Sequence, residues 1–281
     1  MSTLYLVATP IGNLEDISAR GLRTLGEVRL IAAEDTRQTA KLLQRYDIHT
    51  PCMSYHEHNK MVRMDRVLHA LEEGDVALVS DAGTPALNDP GYELVRAAIE
   101  AGHEVSPIPG ACAPIAALVA SGLPTNAFLY LGYLPRKHGE REQVLKQISS
   151  TPYSLIFLEA PHRILDALEQ LQVELGDRQV AVGRELTKMH EEIFRGSLSQ
   201  ALKHFSKHPP RGEFTLVVAG RTSLAARWTE DQLNTELQAV LAGGEPASQV
   251  AARLAGPSGW SRREIYAHLL EKQGKIGKLL P

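Results

Sequence analysis

The residues best placed to do chemistry lie where short apolar runs open into small, polar turns. Val76 to Val79 form one such run, too brief for a helix and bounded by turn formers, which reads as a buried parallel strand. Behind it come Asp81, Ala82, Gly83, Thr84 and Pro85, a small-residue turn that lets a ligand approach the backbone closely. Asp89-Pro90 is then expected to start a helix, with Asp89 as N-cap and Pro90 at its first position. Two further loops have the same character: Thr9-Pro10-Ile11-Gly12-Asn13 and Pro109-Gly110-Ala111-Cys112-Ala113. Ligands of open α/β sheets bind outside such strand ends, so three loops converging on one edge would make a cofactor crevice. No G-x-G-x-x-G follows the first strand and no G-x-x-x-x-G-K-[ST] occurs, which supports neither the usual dinucleotide fingerprint nor a P-loop.

Other polar residues fall into groups with more than one reading. Asp35, with Gln38 three residues on, is expected to form a capping box. His56 and His58 could ligate a metal, but no third ligand is near in sequence; surface or RNA-contacting histidines are the simpler reading and no metal dependence is expected. Arg37, Arg163 and Lys188 sit in or beside strand-end loops, where they could bind phosphate or stand as solvated or ion-paired side chains. Arg136, Lys137 and Arg141 add a basic cluster, either the rim of an RNA surface or a charged surface run.

These residues need elements to hold them. Strands are expected at Leu4 to Ala8, Val28 to Ala33, Val76 to Val79 and Val105 to Ile108, with helical patterns between, and this alternation predicts a mostly parallel sheet with helices on both faces. Residues 121 to 127, SGLPTNA, break the pattern, and a second alternating unit follows with strands at Ala127 to Leu131, Ser154 to Leu158, Gln179 to Val182 and Phe214 to Ala219. Ile164, Leu168, Leu171 and Leu175 give an amphipathic helix after Pro161, which is expected at its first position. Ser197 with Gln200 caps another. After Gly220 three short helices remain, capped by Thr229 with Gln232 and by Ser261 with Glu264; Ile265 and Leu269 form the buried face of the last, and Arg262 and Arg263 occupy its first turn. Arginines there oppose the helix dipole, so a phosphate-contacting helix-turn-helix and a packing or dimerisation module are both open. The division expected is 1–121, 122–222 and 223–281, two α/β domains and a three-helix module.

Composition narrows the setting. The 281 residues are 43% hydrophobic, ample for packed cores, and 30 Lys and Arg against 33 Asp and Glu leave a net charge of -3, so nucleic-acid binding would rest on local basic patches. Cys52 and Cys112 form no C-x-x-C pair, and neither a leader pattern nor a membrane-spanning stretch is evident, which favours a reducing cytoplasm.

The three loops, VATPIGN at 7 to 13, AGTP at 82 to 85 and PGACA at 109 to 113, together resemble the tetrapyrrole methylase family over about residues 3 to 221. Thr84 stands where many members carry an aspartate, and Ala111, Cys112 and Ala113 replace small hydroxylated residues. The resemblance implies S-adenosylmethionine held in a crevice between the two α/β domains, and a homodimer. It carries cofactor contacts onto Pro10, Asp81, Ala82, Gly83, Thr84, Pro85, Ala111, Cys112, Leu158, Glu159 and Leu216. AEDTR at 33 to 37, SYHEHN at 54 to 59, EAPHR at 159 to 163 and GEFTLVVAG at 212 to 220 look like one branch, whose members methylate the ribose 2'-hydroxyl of a decoding-region cytidine, nucleotide 1402 of 16S rRNA. On that reading Arg37, Arg136, Lys137, Arg163, Lys188, Arg262 and Arg263 would hold RNA of the small ribosomal subunit. A ribose hydroxyl is a poor nucleophile, so a base is sought among Asp35, Asp81, His56 and Glu34. A tetrapyrrole C-methyltransferase and a non-catalytic nucleic-acid-binding protein remain as alternatives.

Overall fold

The computed structural model describes residues 2–221, 228–241 and 246–276, which fall into two compact units, 1–221 and 222–281. The first unit holds two five-stranded sheets. Its first half runs β1 (Thr3–Val7), α1 (Ala19–Glu27), β2 (Leu30–Ala33), α2 (Thr36–Arg45), β3 (Cys52–Ser54), α3 (Lys60–Glu73), β4 (Val76–Val79), α4 (Tyr92–Glu100) and β5 (Glu104–Ile108). The sheet order is β3-β2-β4-β1-β5 and every pairing is parallel. Alternation along β4 shows how it is covered on both faces. Ala77 and Val79 pack with Leu25, Ile31 and Leu42 on one side, and Val76 and Leu78 with Val67, Leu71 and Leu94 on the other.

The second half runs α5 (Ala113–Ser121), β6 (Phe128–Tyr133), α6 (His138–Ile148), β7 (Ser154–Glu159), α7 (Ile164–Leu175), β8 (Gln179–Arg184), β9 (Glu192–Ser197), α8 (Leu198–Phe205) and β10 (Phe214–Val218). Here the alternation of strands and helices misleads. The order is β6-β7-β10-β8-β9, and only β6 and β7 are parallel, because β8 turns directly into β9 and β10 inserts antiparallel between β7 and β8. One face packs Leu155, Phe157, Val182 and Leu216 against α7 and α8. The other packs Ile156, Ala181 and Val217 against Ala117 and Leu118 of α5 and against Ile11 from the loop after β1. A helix and a loop that follow strands of the first sheet thus close the second.

Two expected helix starts and one capping box are corrected. α4 begins at Tyr92 with Gly91 as N-cap, because Ala86 and Asn88 both take positive φ (64° and 66°) and carry the chain through a further turn; Asp89 is therefore not its cap. α7 begins at Ile164, after a turn that includes Pro161. Asp35 does cap α2, accepting from the Arg37 amide at 2.8 Å, but Gln38 accepts from Lys41 rather than completing the box. The capping boxes at Ser197, Thr229 and Ser261 form as expected.

The second unit contains α9 (Glu230–Leu241), α10 (Ala247–Ser258) and α11 (Arg262–Ile276). Ile265 and Leu269 are buried against Leu233, Leu237, Val250 and Leu254.

Candidate active site

Three loops meet at the C-terminal edge of the first sheet, as their composition suggests. The amide of Thr9 donates to Gly83 O at 2.9 Å and that of Gly83 returns to Thr9 O at 3.0 Å, while the Thr9 hydroxyl donates to Ser80 O at 3.1 Å. The Thr84 hydroxyl reaches Ala111 O at 3.2 Å, tying in the third loop. Gly83 has φ +83°, and a Cβ there would stand 3.3 Å from Ile11 Cγ2, so the turn requires glycine for its conformation and for the room beside Ile11.

This turn forms one wall of a cavity of about 250 Å³ between the two sheets. From the first half come Ile11, Glu34, Asp81, Ala82, Gly83, Thr84, Asn88, Asp89 and Cys112; from the second come Tyr130, Tyr133, Leu158, Leu186, Glu213 and Thr215. The second sheet contributes through a bulge. The register of β6 on β7 shifts between Tyr130 and Gly132, so Tyr130 and Tyr133, three residues apart, both line the cavity, where unbroken alternation would put them on opposite faces. Gly132 has φ +62°, and a Cβ there would collide with the Asn88 amide, so the bulge lies against the loop that follows β4.

The cavity is acidic. Burial raises Glu34, which accepts from the Asp81 amide at 3.2 Å, and burial also raises Asp81, whose Oδ1 accepts from the Asp35 amide at 2.9 Å. Asp89 is pushed up to about 6 by burial and then by the nearby charge of Glu34, against a hydrogen bond from Ser80. None of the three forms an ion pair with a cationic side chain among the described residues. The Tyr130 hydroxyl is buried without a partner, and burial raises its pKa. Partly dehydrated carboxylates without counter-ions are costly unless a cation arrives from outside.

The other expected site residues fall elsewhere. Pro10 and Pro85 are buried beneath the loops, and Ala111 contributes its carbonyl to Thr84. Leu216 points into the core with Leu155 and Phe157, and Thr215 takes the cavity side. Glu159 alternates away from Leu158; it is 2% exposed and lies 3.4 Å from Arg163. Arg163 also donates to Leu134 O at 2.8 Å and so acts as an internal brace. Lys188 pairs with Glu185 at 2.8 Å and Glu213 at 3.0 Å, joining the loop after β8 to the cavity rim. Arg141 is buried against Asp166 and Gln170, which removes it from the basic cluster; Lys137 pairs with Glu140 at 2.8 Å and Arg136 is exposed.

Asp35 and Arg37 form a forked pair at 2.6 Å, which holds the Asp35 carboxyl down at about 2 and makes it a weak base; Arg37 stays exposed. His56 lies outside the cavity wall, hydrogen-bonded to Asn59 at 3.0 Å, yet near enough to favour ionised Glu34. Among the described residues no cluster of three or more His, Cys, Asp or Glu could hold a metal ion. Arg262 and Arg263 lie in the second unit, where Arg262 reaches Ser248 O at 3.5 Å.

Residues 3–202 match the family described as tetrapyrrole (corrin/porphyrin) methylases. The chain belongs to that family. Its cofactor is S-adenosylmethionine. Curated relatives agree: "Ribosomal RNA small subunit methyltransferase I" of Synechocystis is 48% identical over 96% of this chain and 98% of its own, and that of Escherichia coli O157:H7 is 44% identical over 96% of both. The Thermotoga maritima protein of the same name is 46% identical, with 79% of this chain matching 100% of its length. In fold the chain is similar to diphthine synthase (16% identical, TM-score 0.60, 79% and 91% of the two chains) and to Thermus thermophilus uroporphyrin-III C-methyltransferase (18%, TM-score 0.55, 78% and 97%).

The cavity fits this cofactor. Small residues at 82 to 84 leave backbone accessible, Ile11, Leu158 and Leu186 supply apolar wall, and the carboxylates without counter-ions match a ligand bearing a sulfonium and an ammonium. Sequence reading missed Asp89, Tyr130, Tyr133 and Glu213. An acidic residue directly before Pro90 was the available signal for Asp89.

Proposed function

We propose that the protein transfers a methyl group from S-adenosylmethionine to a ribose 2'-hydroxyl of 16S rRNA, at cytidine 1402 of the decoding region, acting in the cytoplasm as a homodimer. The observation that carries this reading is the acidic cavity at the Asp81 to Thr84 turn, in a chain 44–48% identical over nearly full length to relatives named for methylating small-subunit rRNA.

When bound, the cofactor supplies an electrophilic methyl on a cationic sulfur. The chain's part is placement and proton removal. The turn at Ala82 to Thr84 and the apolar wall hold the cofactor, and Glu34, Asp81 and Asp89 favour its positive charge. Holding two reactants in line can supply roughly 7–11 kcal/mol of the barrier. The hydroxyl proton passes to Asp81 or Glu34, neighbours joined by the Asp81 amide, both lining the cavity and both less acidic than ordinary carboxylates. Asp35, held at about 2, serves as the cap that steadies Asp81. Residues 1–121 and 122–222 act together as the catalytic body, with 223–281 as an accessory module.

Mass-spectrometric mapping of small-subunit rRNA from cells with and without the protein tests this. A ribose methylation at cytidine 1402 that disappears with the protein supports it; an unchanged methylation map removes it.

A further inference from the structure

From the last turn of α8 toward β10 the sequence reads Lys203-His204-Phe205-Ser206-Lys207-His208-Pro209-Pro210-Arg211, with five basic or histidine residues in nine and no acid. This segment borders a second cavity of about 640 Å³, whose wall includes Arg184, Glu192, Phe205, Lys207, His208 and Arg211. Its single carboxylate is already engaged: Glu192 pairs with Arg184 at 2.8 Å and with His204 at 2.6 Å. Lys207, His208 and Arg211 form no ion pair among the described residues. Arg184, Lys207 and Arg211 against Glu192 leave a formal local charge of +2 with histidines neutral, in a chain whose whole charge is -3. The cations are therefore concentrated here against the overall balance.

The cavity adjoins the site described above. Arg211 is two residues before Glu213, which lines the acidic cavity. Phe205, in the wall of the basic cavity, meets Phe214 of the acidic one edge to face at 5.4 Å. Phe194 stacks on the His204 ring at 5.0 Å and helps to fix it. The 211–213 segment is held by the end of β8, through the Glu185 amide to Glu213 O at 3.0 Å and the Glu213 amide to Glu185 Oε1 at 2.9 Å. An aromatic pair and a short backbone segment thus link the walls of the two cavities. A strand of polyanion whose reacting sugar enters the acidic cavity needs its neighbouring phosphates held outside it, by cations on a rigid support.

We propose that the cavity bordered by Lys207, His208 and Arg211 binds phosphodiester groups of the acceptor RNA flanking the methylated nucleotide. The assignment rests on the reading of an RNA acceptor and deepens it. Arg184 is already paired with Glu192, so Lys207 and Arg211 supply the charge that meets phosphate.

The test is equilibrium binding of a short single-stranded oligoribonucleotide spanning the target, across a salt series, to the wild type and to Lys207→Gln/Arg211→Gln. The variant binds about tenfold more weakly, and its log K against log salt plot is shallower by about 1.4, two phosphate contacts at roughly 0.7 each. Its affinity for S-adenosylmethionine is unchanged, which also shows that it is folded. Unchanged RNA affinity and salt slope overturn the proposal, as does a poly-glutamate peptide that competes as well as RNA. If the variant does not fold, photo-crosslinking of the wild type to 4-thiouridine RNA decides: adducts on residues 203–211 support the site, and adducts confined to other surfaces overturn it. RNA that binds with this signature but is never methylated removes the activity and keeps the site. Methylation with an unaltered KM in the variant removes the site and keeps the activity.

Discussion

Two neighbouring cavities of the same unit carry opposite charge. The one between the sheets gathers Glu34, Asp81, Asp89 and Glu213 around small-residue loops, and the one at the end of α8 gathers Arg184, Lys207, His208 and Arg211. On the proposed reading, this opposition lets one protein take a cationic cofactor and a polyanionic acceptor side by side. Desolvated carboxylates favour a sulfonium, whereas phosphates next to the same carboxylates would be repelled and must be held by the adjoining cations. The acidic cavity is built on tight, interlocked loops, and the basic one on a helix end and a proline pair.

The largest effect separating the two comes from the turn itself. Gly83→Val combines a φ of +83° with a branched side chain beside Ile11, and calorimetry is expected to show S-adenosylmethionine affinity lower by on the order of 100-fold while thermal unfolding stays cooperative. RNA affinity should survive, which breaks the link between the cavities. Next comes chemistry. Asp81→Asn or Glu34→Gln, whichever removes the base, should lower kcat by about 10²–10⁴-fold with KM for RNA little changed, and should flatten the acid limb of the pH-rate profile.

A smaller effect tests the burden of buried acid. Asp89 sits at about 6 in the folded protein against 3.8 for the ordinary carboxyl, so between those values the folded state holds more protons than the unfolded one. Stability should therefore fall as pH rises from about 4 to 6, and Asp89→Asn should lose that slope and melt higher than the wild type at pH 8. The smallest effect concerns the second unit. Deleting residues 222–281 should leave cofactor affinity unchanged, since the first unit is compact by itself and every residue named in the acidic cavity belongs to it. Calorimetry on the truncated protein checks it.

Much of this frame was legible before the structure. β4 is legible at its observed bounds because four apolar residues between turn formers leave a buried strand as the simplest solution, and the loops after β1, β4 and β5 are recognisable by composition. β3 leaves no sequence signal because three residues behind Pro51 carry little pattern, and β9 leaves none because EIFRGS is a partly exposed edge strand with polar residues at both ends. The mixed second sheet was hidden for the same reason, since without β9 the hairpin cannot be seen. Asp89 reads as a cap because Asp-Pro is a common helix start, and only the positive φ values at Ala86 and Asn88 reveal the extra turn that carries it into the cavity wall. Tyr130 and Tyr133 depend on a bulge that no period-two pattern shows. Arg141, Arg163 and Lys188 have the residue type that binds phosphate, but buried or neighbouring carboxylates claim them; sequence gives the charge and not the partner.

On the proposed reading S-adenosylmethionine occupies the acidic cavity. A crystal structure with S-adenosylhomocysteine tests it most directly. Ligand density is expected between the Ala82 to Thr84 backbone and Leu158, within reach of Asp81 and Asp89; density at any other place, with this cavity holding only water, overturns the assignment.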